Sequence, residues 1–65
     1  MRINLQGDPN MILSLINTKL RNDYKTLKEL CDDLGLDESI ITERMQEIDK
    51  IYDEKTNQFV SAFND

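Results

Sequence analysis

Thr26-Leu27-Lys28-Glu29-Leu30-Cys31-Asp32-Asp33-Leu34-Gly35-Leu36-Asp37 is the stretch on which the fold turns. Leu27, Leu30, Cys31 and Leu34 recur at i, i+3, i+4 and i+7, the spacing of a narrow apolar stripe on one helix face. Thr26 and Glu29 stand three residues apart at its head, as in a capping box where each satisfies the other's exposed backbone N–H. Gly35 follows the last apolar residue, where helices end on a left-handed residue. Asp37 then supplies an N-cap. The stretch predicts a short helix over 26–34, a tight turn, and a further helix beginning at 37.

Downstream, Ile40, Ile41, Met45 and Ile48 form the inner face of a helix over 37–50, with Glu38, Ser39, Thr42, Glu43, Gln46, Glu47 and Lys50 mostly outside. Arg44 falls angularly within the apolar face, so its stem is expected to pack while its guanidinium reaches an acid. The period then changes. Ile51-Tyr52 and Phe59-Val60 flank Asp53-Glu54-Lys55-Thr56-Asn57-Gln58, an Asp-opened turn with an Asn that tolerates left-handed backbone. This predicts a hairpin or extended segment over 51–60, with Tyr52 and Phe59 paired across the ribbon. Two short strands need the helices as a platform.

Upstream, Asp8-Pro9 starts a helix over 8–22, since Asp caps well and Pro at the first position loses no useful N–H. Its apolar residues Met11, Ile12, Leu13, Leu15, Ile16 and Leu20 cover roughly 200° of the circumference, wide enough to touch more than one neighbour. Lys19 lies in this arc. It reads as a packed stem with a wet head, or else as a buried cation paired with an acid. Residues 22–25 connect the first two helices, 1–7 form an arm, and 61–65 a loose tail. The expectation is a single domain over 1–65, mainly α, with three helices and a short C-terminal hairpin. Its predicted core is Ile12, Leu15, Ile16, Leu20, Leu27, Leu30, Cys31, Leu34, Leu36, Ile41, Met45, Ile48, Tyr52 and Phe59.

A chain of 65 residues buries only about 60% of its unfolded surface and is marginal in stability. Its single cysteine and lack of histidine rule out an internal disulfide and a structural zinc site, so the deficit falls to an economical core, an oligomer, or both. A lone Cys suits a reducing compartment. The first eight residues carry no apolar run of signal-peptide type and no segment reaches membrane-spanning length. A cytoplasmic protein without membrane contact is expected.

The net charge of −5 is uneven. Residues 1–22 carry Arg2, Lys19 and Arg21 against Asp8, whereas residues 23–54 set eleven acids against Lys25, Lys28, Arg44 and Lys50, a balance of −7.

Thr26 to Ile48 resembles a helix-turn-helix unit, through Leu27, Leu30, the small Cys31, Leu34, Gly35, Leu36, Ile41 and Met45. A small residue lets two helices cross closely and a glycine makes the tight turn. With the hairpin added, the chain looks like a miniature winged helix. It also resembles a small bacterial family of unknown function. That resemblance spans about residues 8–59 and runs through Asp8-Pro9, Leu13-Ser14, Asn17-Thr18-Lys19-Leu20-Arg21, Asp23-Tyr24, Leu27, Leu30-Cys31, Tyr52 and Asn57-Gln58-Phe59. The chain departs from the family's pattern at Asp49-Lys50, where a Gly-Tyr pair is expected, at the bend between the third helix and the hairpin. The resemblance implies a fold and a compartment but no activity.

Nothing in the sequence assembles a catalytic site: there is no histidine, no glycine-rich phosphate loop and no nucleophile beside a base. Cys31 reads as a small core residue. Asp32, Asp33, Asp37 and Glu38 lack the alternate spacing of a calcium loop and read as caps and solvated charges. No cofactor or metal is expected. For nucleic acid, residues 37–50 carry Asp37, Glu38, Glu43, Glu47 and Asp49 against Arg44 and Lys50, the wrong sign for phosphates. Nucleic acid is therefore the alternative partner, disfavoured by charge. The favoured reading is a non-catalytic protein-interaction module. Its partner is another protein or a second copy, met through a two-fold contact on the first helix. The expected surface comprises Asn17, Lys19, Arg21, Asp23 and Tyr24, joined by Asn57 and Gln58 from the turn.

Overall fold

Three caps set the helices in place in the computed structural model, which describes residues 3–62. The carboxylate of Asp8 accepts the N–H of Asn10 at 2.9 Å and starts α1 (Pro9–Asn22). The Thr26 hydroxyl accepts the N–H of Glu29 at 3.1 Å and starts α2 (Leu27–Leu34). Asp37 accepts the N–H of Ser39 at 2.9 Å and starts α3 (Glu38–Gln46). The expected capping box is half displaced: the Glu29 carboxylate takes the N–H of Lys25 at 3.0 Å, one residue ahead of Thr26. Gly35 adopts φ 67°, and the Leu36 N–H folds back to the Cys31 carbonyl at 2.9 Å, closing α2 as a Schellman turn does.

β1 (Lys50–Asp53) and β2 (Gln58–Ser61) form a two-stranded antiparallel ribbon in which Lys50 faces Ser61, Ile51 faces Val60, Tyr52 faces Phe59 and Asp53 faces Gln58. The Tyr52 and Phe59 rings meet with centroids 5.6 Å apart at 54°, the cross-strand pair the sequence predicts. The chain is thus mainly helical, with three helices and a short C-terminal hairpin.

The core gathers Ile3, Ile12, Ile16, Leu20, Leu27, Leu30, Cys31, Ile41, Met45 and Phe59, with Leu34, Leu36, Ile48, Tyr52, Leu5, Leu13 and Tyr24 packed around it. Leu15, expected inside, is only half-buried and lies off this cluster, because α1 buries the narrower row Ile12, Ile16 and Leu20. Ile40, also expected on the inner face, is exposed. Ile40 and Ile41 sit about 100° apart on the helix, and Ile41 takes the buried place. Ile3, assigned to the arm, is buried. The arm turns back through a bond from the Gly7 N–H to the Asn4 carbonyl.

The third helix stops at Gln46 instead of running to Lys50. The N–H groups of Ile48 and Asp49 reach back only three residues, to Met45 and Gln46, and Asp49 then enters left-handed backbone at φ 56°. That bend frees Lys50 to begin β1, and the Ala62 N–H locks it by donating to the Asp49 carbonyl at 2.8 Å. The ribbon therefore extends one residue beyond each end of the expected 51–60, taking Ser61 out of the tail. Residues 63–65 of that tail lie outside the described residues.

The resemblance leads one to expect glycine at Asp49, and the backbone there suits one: a Cβ at positive φ costs roughly 1–2 kcal/mol. Asp49→Gly is expected to raise stability by about 0.5–1 kcal/mol in urea unfolding, glycine's greater unfolded-state freedom offsetting part of the relief.

Candidate functional site

The carbonyls at the end of a helix and the N–H groups at the start of the next have no partners within their own helices. Here the ribbon supplies them. Asn57 sits in left-handed backbone at φ 55°, which aims its side chain at the junction of α1 and α2. Its Nδ2 donates to the Leu20 carbonyl at 3.0 Å and the Tyr24 carbonyl at 2.9 Å. Its Oδ1 accepts from the Tyr52 hydroxyl at 2.5 Å, and that hydroxyl in turn accepts the Leu27 N–H at 3.2 Å. One asparagine and one tyrosine thus tie the exit of α1, the entry of α2 and both strands together.

Asn17 does the same for the outer edge of β2. Its Nδ2 donates to the Phe59 carbonyl at 3.1 Å and its Oδ1 accepts the Phe59 N–H at 2.7 Å, so a side-chain amide takes the place of a third strand. Gln58 Nε2 donates to the Asn17 carbonyl at 3.1 Å and to the Asn57 carbonyl at 2.8 Å.

The seven residues singled out from the sequence do converge on one end of the molecule, with different employments. Asn17, Asn57 and Gln58 turn inward and are half-buried, their amides engaged with main chain. Lys19 is partly covered and reaches Asp23 at 3.3 Å. This i, i+4 pair is worth little at the surface. The Tyr24 hydroxyl donates to Asp33 Oδ2 at 2.5 Å. That bond, reinforced by burial and by the charges of Asp33 and Asp23, pushes the phenol up to about 12. Arg21 is exposed and makes no side-chain bond among the described residues.

A second surface was not legible as a site. Arg44 binds both oxygens of Glu47, at 2.8 and 2.9 Å, and also donates to the Gly7 carbonyl, pinning the arm to α3. Its Nε is buried without a hydrogen-bond partner. The one cation of α3 is thus neutralised by Glu47, while on the outward ridge Asp37 and Glu43 remain exposed on either side of the exposed Ile40. Beside that ridge an open groove runs between the arm and the α2–α3 turn, with Leu5, Leu36 and Ile40 on its walls and Asp37 at its rim. The signal was present in the adjacent pair Ile40-Ile41, of which a single-sided helix can bury only one.

Among the described residues no three acidic or thiol side chains converge as a metal-ligand set. No described helix is long and apolar enough to cross a membrane.

Asn57→Ala removes three hydrogen bonds and keeps a Cβ at positive φ, so it should cost about 2–4 kcal/mol in chemical unfolding; Asn57→Gly should cost roughly 1 kcal/mol less. The Tyr24 phenol titrates from 10.0 in the unfolded chain to about 12 in the folded one. Its contribution is therefore complete below pH 10 and lost as the unfolded chain ionises first on the way to pH 12. Tyr24→Phe should flatten that part of the Tm-versus-pH curve and remove the phase near 12 from the phenolate absorbance titration.

No curated protein and no solved structure matches the chain. Residues 6–59 match the family described as a domain of unknown function, DUF4250, and since that span is most of the molecule, the chain belongs to that family.

Proposed function

We propose that this chain is a non-catalytic protein-interaction module that uses the ridge of α3 and the adjoining arm groove to hold a cationic, amphipathic segment of a partner protein. The observation that carries this reading is the placement of Arg44: tied to Glu47 and Gly7, it leaves the outward ridge to carboxylates beside the exposed Ile40. A ridge of this kind repels phosphates and attracts lysine and arginine, while Ile40, Leu5 and Leu36 offer an apolar anchor point. The non-catalytic part of the reading is supported by Cys31. Burial first, then the charges of Glu38, Asp32 and Asp37, push its thiol up to about 11, so the nucleophilic thiolate is scarce at neutral pH.

The alternative is nucleic-acid binding. The helix-turn-helix-like order of α2 and α3 favours it, as do the exposed cations Arg21, Lys25 and Lys28 around the α1–α2 corner. On that reading the contact would lie on the α1–α2 corner and not on α3.

The test is calorimetric titration with a lysine-rich helical peptide bearing leucines on one face, beside a scrambled peptide of identical composition and a random DNA duplex at low salt. The patterned peptide should bind, weaken as salt rises, lose about tenfold or more in affinity on Ile40→Glu, and weaken further in salt-dependent fashion on Glu43→Lys. Equal binding of the scrambled peptide would reduce the effect to bulk charge and sink the proposal. Duplex binding that is lost on Arg21→Glu with Lys25→Glu would establish the alternative.

A further inference from the structure

The two edges of the ribbon are not equivalent. In an antiparallel ladder, residues alternate between those whose N–H and C=O point at the paired strand and those whose groups point away. Asn17 bonds both main-chain groups of Phe59 from outside the ribbon, so Phe59 and its partner Tyr52 form a pair whose groups point away. The bond from Ala62 to Asp49 gives the same alternation from the other end. On β1 the outward groups therefore belong to Lys50 and Tyr52. Among the described residues these groups make no main-chain bond, whereas the β2 edge is closed by Asn17. β1 is the open edge.

The side chains beside that edge suit one occupant. Ile51 is 46% exposed and faces Val60 across the ribbon, making an apolar pair on the solvent side. Lys50 and Lys55 balance Asp53 and Glu54, so the ribbon over residues 50–61 carries no net charge on a protein of −5. A basic partner has nothing to gain there, while a second copy meets least repulsion. Alternation then selects the register. Outward-pointing residues must face each other, and of the registers that allow this the one that engages both Lys50 and Tyr52 of each copy places Tyr52 opposite the partner copy's Lys50 and sets the two Ile51 side chains together on the two-fold axis.

We propose that this chain pairs with a second copy of itself through the β1 edges, forming a continuous four-stranded antiparallel sheet with the two Ile51 residues and their flanking Val60 residues as its solvent-side apolar stripe. A two-stranded ribbon is marginal on its own, and doubling it brings the sheet to a stable size. The assembly stops at two because the contact consumes both open edges, while on each outer β2 edge the central Phe59 groups are already taken by Asn17. This surface is separate from the α3 ridge and arm groove. It also differs from the contact on α1 that the apolar width of that helix suggests, where Met11 is the exposed residue.

Sedimentation equilibrium of the full chain, with amide exchange by NMR, tests the contact. Expected is a species of twice 7.6 kDa that grows with protein concentration up to about 1 mM and tightens as salt screens the −5 on each copy. The N–H groups of Lys50 and Tyr52 should become protected in step with it. Ile51→Lys, at an exposed position outside the core, should weaken association about tenfold or more and leave the melting temperature of the monomer unchanged. Met11→Lys should leave association unchanged. A monomer throughout that range, a dimer indifferent to Ile51→Lys, or a dimer broken by Met11→Lys would each overturn the proposal. Ile40→Glu should leave the mass unchanged even where it abolishes peptide binding, so the two surfaces fail separately.

Discussion

Two asparagine side chains hold the ribbon to the helices, and the rest of the molecule is arranged around what they bond. Asn57 offers two donors to the carbonyls of Leu20 and Tyr24 and one acceptor to Tyr52, whose hydroxyl takes the first N–H of α2. Asn17 closes the outer edge of β2. Each of these groups would otherwise be a half-buried polar atom without a partner, costing about 1–3 kcal/mol. In a domain with few apolar residues and no disulfide, such bonds decide whether a four-residue strand pair stays on its platform. They also explain why polar residues crowd one end of the molecule: much of that polarity is the joint itself.

The electrostatic pattern follows from a similar division of labour. Arg44 packs its stem within the α3 face and spends its guanidinium on Glu47 and on the Gly7 carbonyl, holding the arm that buries Ile3. Stabilising the arm in this way leaves the α3 ridge to its carboxylates. Placing Asp37, Glu38 and Asp32 close to Cys31 has a comparable effect, since buried sulfur beside several negative charges stays protonated. The acidic middle of the chain is thus both a cap-rich, helix-starting segment and a surface with one sign of charge.

Helix starts and stops were legible because they are local. Asp8, Thr26 and Asp37 bond N–H groups two or three residues away, and Gly35 needs only its own φ. The pairing of Tyr52 with Phe59 was legible for a like reason, since a short turn leaves the strands little choice of register. The end of α3 was not. Its apolar and polar residues continue in helical period to Lys50, and the helix breaks only because Asp49 accepts left-handed backbone and Ala62 fastens it there. The choice between Ile40 and Ile41, and the exposure of Leu15, depend on where the neighbouring elements come to rest.

The sequence by itself determined the helices, the hairpin, the acidic centre and the absence of an internal disulfide, because each follows from contacts within a few residues or from composition alone. Only the tertiary structure decided the meaning of Asn17, Asn57 and Gln58. An amide in a polar stretch reads as an exposed recognition group until the chain brings a main-chain carbonyl or N–H from about forty residues away to within 3.1 Å of it. The same is true of the open β1 edge, because whether a strand's outward groups are satisfied depends on what lies beside it in space.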